Sequence, residues 1–224
     1  MPTSDIAPFL QPSLCVDSDA PAVRAFSARA TAGAADERER AVRLFYAVRD
    51  EIRYDPYGIV LTPEFLRASS VLARGAGFCV AKAIVLAAGA RAAGIAARLG
   101  FADVRNHLTT ERLRAQMGTD VFFFHGFTEL FLGGRWVKAT PTFNRSLCDR
   151  FGVQPLEFDG VSDSLFHPFD AAGQRHMEYV RDRGTYVDVP FEEMIAVYAE
   201  CYPGPAPDGA TGDFEREAAD DRGR

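Results

Sequence analysis

Residues 73–100 have the sequence ARGAGFCVAKAIVLAAGARAAGIAARLG, and the expected fold is organised around them. Cys79 stands between a glycine-rich turn and a long apolar, alanine-rich segment that is predicted to be helical. Gly94 provides a left-handed residue that ends this helix, and Ile95 starts a predicted strand. The pattern therefore places Cys79 at a helix N-terminus.

A cysteine in that position is a candidate nucleophile. Unpaired backbone N–H groups and the positive end of the helix dipole favour a thiolate, so we expect a lowered pKa for Cys79. The chain has three other cysteines, Cys15, Cys148 and Cys201, and none has the C-x-x-C spacing of a zinc or redox site. These three are expected to be free thiols that pack as small hydrophobic residues.

A β-hairpin is predicted downstream of the helix. Residues 121–132, VFFFHGFTELFL, are apolar on both faces, which is typical of a central strand. Gly133 and Gly134 form the turn, and residues 135–140, RWVKAT, return as the second strand. His125 lies in the first strand. Helices are also predicted from Asp36 to Ile52, with a capping box at its start, from Thr110 to Met117, and from Asp188 to about Cys201.

Four motifs together resemble the transglutaminase-like superfamily of papain-like cysteine enzymes. They are G-x-G-F-C at Gly75 to Cys79, R-x-x-G-I-x-A-R at Arg91 to Arg98, H-x-x-x-E at His125 to Glu129, and W-x-x-x-T-P-T at Trp136 to Thr142. The resemblance covers residues 40–145, about half of the chain. It implies that Cys79 is the nucleophile and His125 the base, within an α+β, papain-like fold whose nucleophile helix packs on an antiparallel sheet.

One position departs from the family pattern. The family usually has an aspartate after the tryptophan, and this chain has Thr140 there. In the register that the two-glycine turn sets, Thr140 is a diagonal neighbour of His125 on the same face of the hairpin. A threonine can accept a hydrogen bond from the imidazole but carries no charge. Either the third role has moved, with Asn144, Asp159 and Asp163 as candidates, or the site is weakened.

The register also places Glu129 opposite Lys138, and we expect the two to form a cross-strand ion pair.

Length and charge limit the remaining possibilities. A chain of 224 residues with 47% hydrophobic residues can bury one core, so we expect one domain over residues 1–203. Residues 204–224 are rich in proline, glycine and charge, and are expected to be disordered or held by contacts that the sequence does not reveal. A net charge of −6 argues against nucleic acid and membrane partners. The N-terminus does not resemble a signal peptide, so a cytoplasmic location is expected.

Residues 143–184 lack ordinary core patterning and are expected to form a loop over the cleft. Asp159, Asp163, His167, Asp170 and His176 fall within this segment. Their spacing does not match a known metal-binding loop, and aspartates beside glycine or proline are common in turns. The sequence therefore predicts neither a metal nor a cofactor.

The expected activity is acyl transfer on an amide or peptide bond through a thioester, with a peptide or small amide as substrate. Hydrolysis and glutamine transamidation or deamidation share the same catalytic residues, so the sequence leaves both open. A transglutaminase-like fold that has lost its chemistry and serves as a binding module is the third alternative. The sequence makes no prediction of the oligomeric state.

Overall fold

A computed structural model describes residues 6–107, 109–166, 177–202 and 212–222 of the chain. Within these ranges, every helix is too short or too polar to span a lipid bilayer.

Nine α-helices and six strands follow one another in the described part of the chain. The helices are α1 (Pro21–Ala30), α2 (Glu37–Glu51), α3 (Pro63–Leu66), α4 (Ala68–Arg74), α5 (Cys79–Ala92), α6 (Glu111–Met117), α7 (Arg145–Phe151), α8 (Phe191–Cys201) and α9 (Phe214–Arg222). The strands are β1 (Arg53–Tyr54), β2 (Ala76–Gly77), β3 (Ala97–Asn106), β4 (Val121–Leu132), β5 (Arg135–Ala139) and β6 (Met177–Tyr186).

The strands form two sheets. The main sheet has the order β5-β4-β3-β6, and all its neighbouring strands are antiparallel. Strand β4 is internal, as its apolar character on both faces predicts. A second, two-stranded sheet joins β1 and β2 in parallel, and it leads directly into α5.

Helix α5 lies at the centre of the molecule, because each of its residues from Cys79 to Arg91 is buried. A helix that is apolar around its whole circumference has no face for solvent, so other elements must cover it on every side. Small residues allow them to come close: an added methyl at Gly89 would lie 3.2 Å from Leu44 of α2. On the sheet side, the Thr128 hydroxyl of β4 donates to the Ala83 carbonyl across 2.8 Å.

The closest approach between α5 and the sheet occurs at Gly126 of β4. A Cβ atom added there would lie 2.8 Å from the Val80 Cα and 3.2 Å from the Val80 backbone nitrogen. These are backbone atoms of the first helical turn, so they cannot move aside as a side chain would. Only glycine fits this crossing of strand and helix.

The hairpin has the predicted register over the length of β5, from Leu132 opposite Arg135 to Thr128 opposite Ala139. Gly133 and Gly134 both have positive φ angles, 58° and 83°, as a two-residue turn of this kind requires.

The predicted ion pair between Glu129 and Lys138 is wrong. The two residues face each other, but the Glu129 carboxylate binds Arg98 of β3 at 2.6 Å. The Lys138 ammonium instead lies 5.2 Å from the centre of the Phe127 ring. The Arg98 guanidinium pairs with the Glu129 carboxylate, and the Phe127 ring provides a cation–π contact for the Lys138 ammonium.

Residues 143–184 contain more regular structure than predicted, since they include all of α7 and most of β6. Strand β6 pairs with β3, and β3 itself extends to Asn106, beyond the predicted strand. The expected loop over the cleft is thus partly an edge strand of the main sheet.

Part of the predicted disordered tail forms α9. Its Phe214 is 2% exposed and contacts the rings of Tyr54, Tyr57 and Phe151 at centroid distances of 5.6, 6.0 and 5.7 Å. A single aromatic residue among charged neighbours therefore anchors the segment to the core. Average composition, on which the disorder prediction rests, does not reveal such an anchor.

Replacing Gly126 with alanine is expected to destabilise the protein by about 1–3 kcal/mol, the usual cost of forcing a methyl into a packed core. The added Cβ would push β4 away from the first turn of α5. Urea denaturation of wild type and Gly126→Ala measures the difference in free energy of unfolding.

Gly94→Ala is the matched control. Gly94 has a φ of 79° but no atom within 4 Å of an added Cβ, so this change tests only backbone strain, which costs about 1 kcal/mol. Equal free energies of unfolding for the two variants would contradict the close crossing of β4 and α5.

Candidate active site

Cys79 is placed by the glycine-rich turn that precedes it. Helix α4 ends where Gly75 takes a left-handed conformation with a φ of 65°. Gly77 then pairs with Tyr54 in the small parallel sheet, and a Cβ added to Gly77 would lie 2.7 Å from the Ala81 Cβ. Both glycines are therefore needed to bring the chain sharply into α5, of which Cys79 is the first residue.

The Cys79 side chain is 7% exposed, and this burial governs its charge. Desolvation raises the pKa of the thiol to about 11, while hydrogen bonds from the backbone N–H groups of Gly126, Val80 and Cys79 itself act to lower it. The predicted lowering of the pKa is thus wrong for this closed arrangement. The helix N-terminus supplies the expected donors, but removing the sulfur from water has the larger effect.

His125 lies in β4 and is 4% exposed. Burial lowers the pKa of its imidazole to about 4, so the ring is neutral near pH 7. The ring packs against Phe166 with 5.6 Å between centroids. Within the described part of the chain, the buried Nε2 atom has no hydrogen-bond partner.

The structure places the peptide bond that follows His125 beside Cys79. The backbone N–H of Gly126 interacts with the Cys79 sulfur, and this N–H belongs to the peptide bond that follows His125. Gly126 also packs closely on Val80, the residue after Cys79, and this contact holds β4 against the start of α5. Cys79 as a neutral thiol and His125 as a neutral imidazole thus flank one desolvated junction.

Thr140 directly follows β5 and is 1% exposed. The β4–β5 ladder ends at Ala139, which pairs with Thr128 and also bridges to Ser164, so the predicted pairing is not continued to Thr140. Among the described residues, no group makes a regular hydrogen bond to the Thr140 hydroxyl. Tyr179 is 38% exposed as a whole residue, but desolvation raises the pKa of its hydroxyl to about 12, while the Thr140 side chain acts to lower it.

The three proposed replacements for the missing aspartate are engaged elsewhere. The Asn144 Oδ1 accepts from the Tyr54 N–H at 3.0 Å, and its amide nitrogen donates to Ser146 and Glu215. Asp159 is exposed and accepts from the next turn of backbone, which lowers its pKa. Asp163 accepts from the Lys138 N–H at 2.9 Å. None of them is bonded to the Nε2 of His125.

Several tyrosine side chains lie near Cys79. The charge of a Cys79 thiolate would raise the pKa of each, which shows that all lie within electrostatic range of the sulfur: Tyr54, Tyr179, Tyr198 and Tyr202. Three come from β6, α8 and the residue after α8, far from Cys79 in sequence. Tyr198 and Tyr202 lie in a mainly apolar stretch that is typical of packing residues, and Tyr179 lies among charged residues, so no local signal identifies them.

The described residues contain no group of three or more histidine, cysteine, aspartate or glutamate side chains placed to hold a metal ion. Of the residues considered for a metal site, His167, Asp170 and His176 lie outside the described part of the chain.

The buried imidazole is expected to make stability depend on pH. Its pKa falls from 6.5 to about 4 on folding, so the unfolded chain binds more protons than the folded protein between these values. The stabilisation is complete above pH 6.5 and is lost as the pH falls through about 4. The shift corresponds to about 3 kcal/mol.

Urea denaturation at pH 7 and at pH 4.5 tests this expectation in wild type and in His125→Asn. The variant should lose less free energy of unfolding between the two pH values, because asparagine does not titrate. An identical pH dependence in both proteins would show that His125 is not buried as a neutral ring.

The model of the transglutaminase-like superfamily matches residues 24–141 of the chain. Among solved structures, that of a proposed cysteine protease from Cytophaga hutchinsonii is similar, with 18% sequence identity and a TM-score of 0.49. The match covers 83% of this chain and 57% of that one. No curated protein matches significantly. Since the family's pattern spans more than half of its residues and its helix-on-sheet architecture agrees, the chain belongs to the transglutaminase-like superfamily and has its α+β, papain-like fold.

Proposed function

We propose that the protein is a cysteine-dependent enzyme that transfers an acyl group from an amide or peptide bond through a thioester, with hydrolysis as its main outcome. Membership of the superfamily supports a cysteine-dependent enzyme in general. The observation that carries the proposal is the junction of α5 and β4, where the Cys79 sulfur interacts with the N–H of Gly126, next to His125.

In the first step, the Cys79 sulfur forms a bond to the amide carbonyl carbon while its proton passes to His125. The imidazole is a free base at neutral pH, because burial lowers its pKa to about 4. The carbonyl oxygen becomes negatively charged, and the backbone N–H of Cys79, at the helix N-terminus, is a donor for it. The proton on His125 then passes to the amine as the C–N bond breaks, which leaves a thioester.

In the second step, water attacks the thioester carbonyl and gives its proton to His125. The C–S bond breaks, the acid leaves, and the proton returns to the Cys79 sulfur. A primary amine in place of water would give transamidation, and glutamine as the acyl donor with water would give deamidation. Every protein group has the same role in these three reactions.

In a Cys-His-Asp set the third member is a carboxylate, and in this chain the corresponding position holds the uncharged Thr140. A carboxylate beside His125 would stabilise the imidazolium that forms in each step. The Thr140 hydroxyl makes no regular hydrogen bond within the described part of the chain and would add no charge. The proposed enzyme is therefore slower than a relative with a complete Cys-His-Asp set, and its substrate must be an uncharged carboxamide or peptide group that tolerates this desolvated site.

The test is the rate of iodoacetamide alkylation at each cysteine as a function of pH, located by peptide mass spectrometry in wild type and His125→Ala. With His125 as base, Cys79 should react at a nearly constant rate from pH 5 to 8. Without it, the rate should follow the thiolate fraction and increase about tenfold per pH unit toward the thiol pKa of about 11.

Cys148 is the internal control, because it is 2% exposed and burial also raises the pKa of its thiol to about 11. If Cys79 and Cys148 alkylate alike in wild type, Cys79 has no base and the enzymatic proposal fails. The binding-module alternative would then explain the fold.

A reactive Cys79 justifies a substrate screen with peptides and with glutamine amides. Peptide cleavage, ammonia release and incorporation of a primary amine distinguish hydrolysis, deamidation and transamidation. All three activities should disappear in Cys79→Ala. Cys148→Ala, the matched change at another buried thiol, should keep them.

A further inference from the structure

An irregularity in the main sheet lies directly before His125. Two residues of β4, Phe123 and Phe124, oppose Asp103 alone in β3, because the register shifts at this point. Such a β-bulge bends the strand and redirects the residues that follow it. Phe124 has a φ of 54°, and it is the only residue other than glycine with a positive φ in the described part of the chain.

A bulge leaves backbone N–H groups without partners in the neighbouring strand, and here two side chains supply acceptors. The Phe123 N–H donates to the Tyr202 hydroxyl at 2.9 Å, and the Phe124 N–H donates to the Asp103 Oδ1 at 3.2 Å. Buried backbone donors are almost always paired, so these two bonds are what allows the bulge to exist in the core.

Asp103 is itself held by Arg183 of β6. The guanidinium donates from Nε to both carboxylate oxygens at 3.0 Å and from Nη2 to Oδ2 at 2.8 Å. The two side chains are 5% and 8% exposed, and the guanidinium also lies 5.0 Å from the centre of the Phe124 ring. The ion pair therefore contacts the bulge at two points: Asp103 accepts from the Phe124 N–H, and the Arg183 guanidinium lies over the Phe124 ring.

A left-handed conformation is unfavourable for phenylalanine, by about 1–2 kcal/mol, so it persists only where the surroundings enforce it. The Phe124 side chain is completely buried, packed against Phe101 with 5.5 Å between ring centroids. The strained residue and the two N–H groups that donate to these side chains lie one and two residues before His125. Backbone strain of this kind is typical of functional sites.

We propose that the Asp103–Arg183 pair is a positioning device that holds the Phe123–Phe124 bulge and thereby aims the imidazole of His125 at Cys79. This inference rests on the proposed function for its catalytic consequence, but the placement of the ring is a separate property. Neither residue touches the reacting atoms. Both act through the backbone of Phe124.

The test replaces Asp103 with alanine and with asparagine. Alanine removes the acceptor for the Phe124 N–H, and misplacing a base by about 1 Å can cost up to a hundredfold in rate. We expect the rate of Cys79 alkylation at pH 7 to fall at least tenfold in Asp103→Ala, toward the rate in His125→Ala. Asp103→Asn keeps an acceptor for that N–H and should recover part of the loss.

Glu129→Ala is the matched control. Glu129 is also a buried carboxylate in the same pair of strands, bound to Arg98 at 2.6 Å, but the ladder is regular there. This variant should lose stability in urea denaturation as Asp103→Ala does, and should keep the alkylation rate of Cys79 within about twofold of wild type, since it leaves the bulge intact. If the alkylation rate fell equally in both variants, general destabilisation would explain the effect of Asp103→Ala, and the positioning role would be contradicted.

A second readout does not depend on catalysis. The rings of His125 and Phe166 are 5.6 Å apart between centroids, so they should give nuclear Overhauser contacts in wild type, assigned by comparison with His125→Ala. These contacts should weaken in Asp103→Ala and persist in Glu129→Ala. Unchanged contacts in a folded Asp103→Ala variant overturn the proposal, even if Cys79 proves unreactive and the proposed enzyme fails.

Arg183→Lys takes the place of Asp103→Ala if that variant does not fold. It keeps both charges but cannot form the forked contact with the carboxylate. The same weakening of the ring contacts is expected, and its absence would equally contradict the positioning role.

Discussion

The site depends on one steric constraint: β4 crosses the first turn of α5 with no side chain between them. Gly126 leaves room for the Val80 backbone, and any larger residue would separate the two elements. The crossing is so tight that Cys79 and His125, which directly precede Val80 and Gly126, flank the same junction. Helix burial, sheet order and the glycine turn before α5 all serve to bring this pair of backbones together.

The second property of the site is its lack of charge. No ionised side chain in the described part of the chain is among the groups that shift the pKa of Cys79, which is surrounded by hydroxyls and aromatic rings. In such surroundings neither a thiolate nor an imidazolium is stabilised at rest, and proton transfer between the two can accompany bond formation. The Asp103–Arg183 ion pair contacts the bulge in β4 and is proposed to act on the shape of that strand.

The sequence was sufficient to predict what depends on local pattern. The helix at Cys79, the hairpin register and the internal position of β4 follow from glycine placement and from apolar periodicity. It was not sufficient where long-range packing decides. At Cys79, burial raises the pKa of the thiol by more than the helix N-terminus lowers it. Glu129 forms its ion pair with Arg98 rather than with Lys138. Phe214 is buried and anchors a segment that has the composition of a disordered tail. In each case the deciding partner is distant in the sequence.

The bulge at Phe124 was equally hidden, because a run of three phenylalanines gives no local indication of a left-handed residue. This residue and its neighbour are held by side chains that are all distant from it in the sequence, those of Asp103, Arg183 and Tyr202.

The burial of Cys79 also has a consequence for the life of the protein in an oxidising cell. Peroxide attacks thiolates far faster than thiols, and sulfinic and sulfonic products cannot return to a working cysteine. A nucleophile that is 7% exposed and protonated at rest offers oxidants almost no target. In the proposed enzyme the thiol reacts when an electrophile enters the site and His125 accepts the proton, so the desolvation that slows the proposed chemistry also protects the proposed nucleophile at rest.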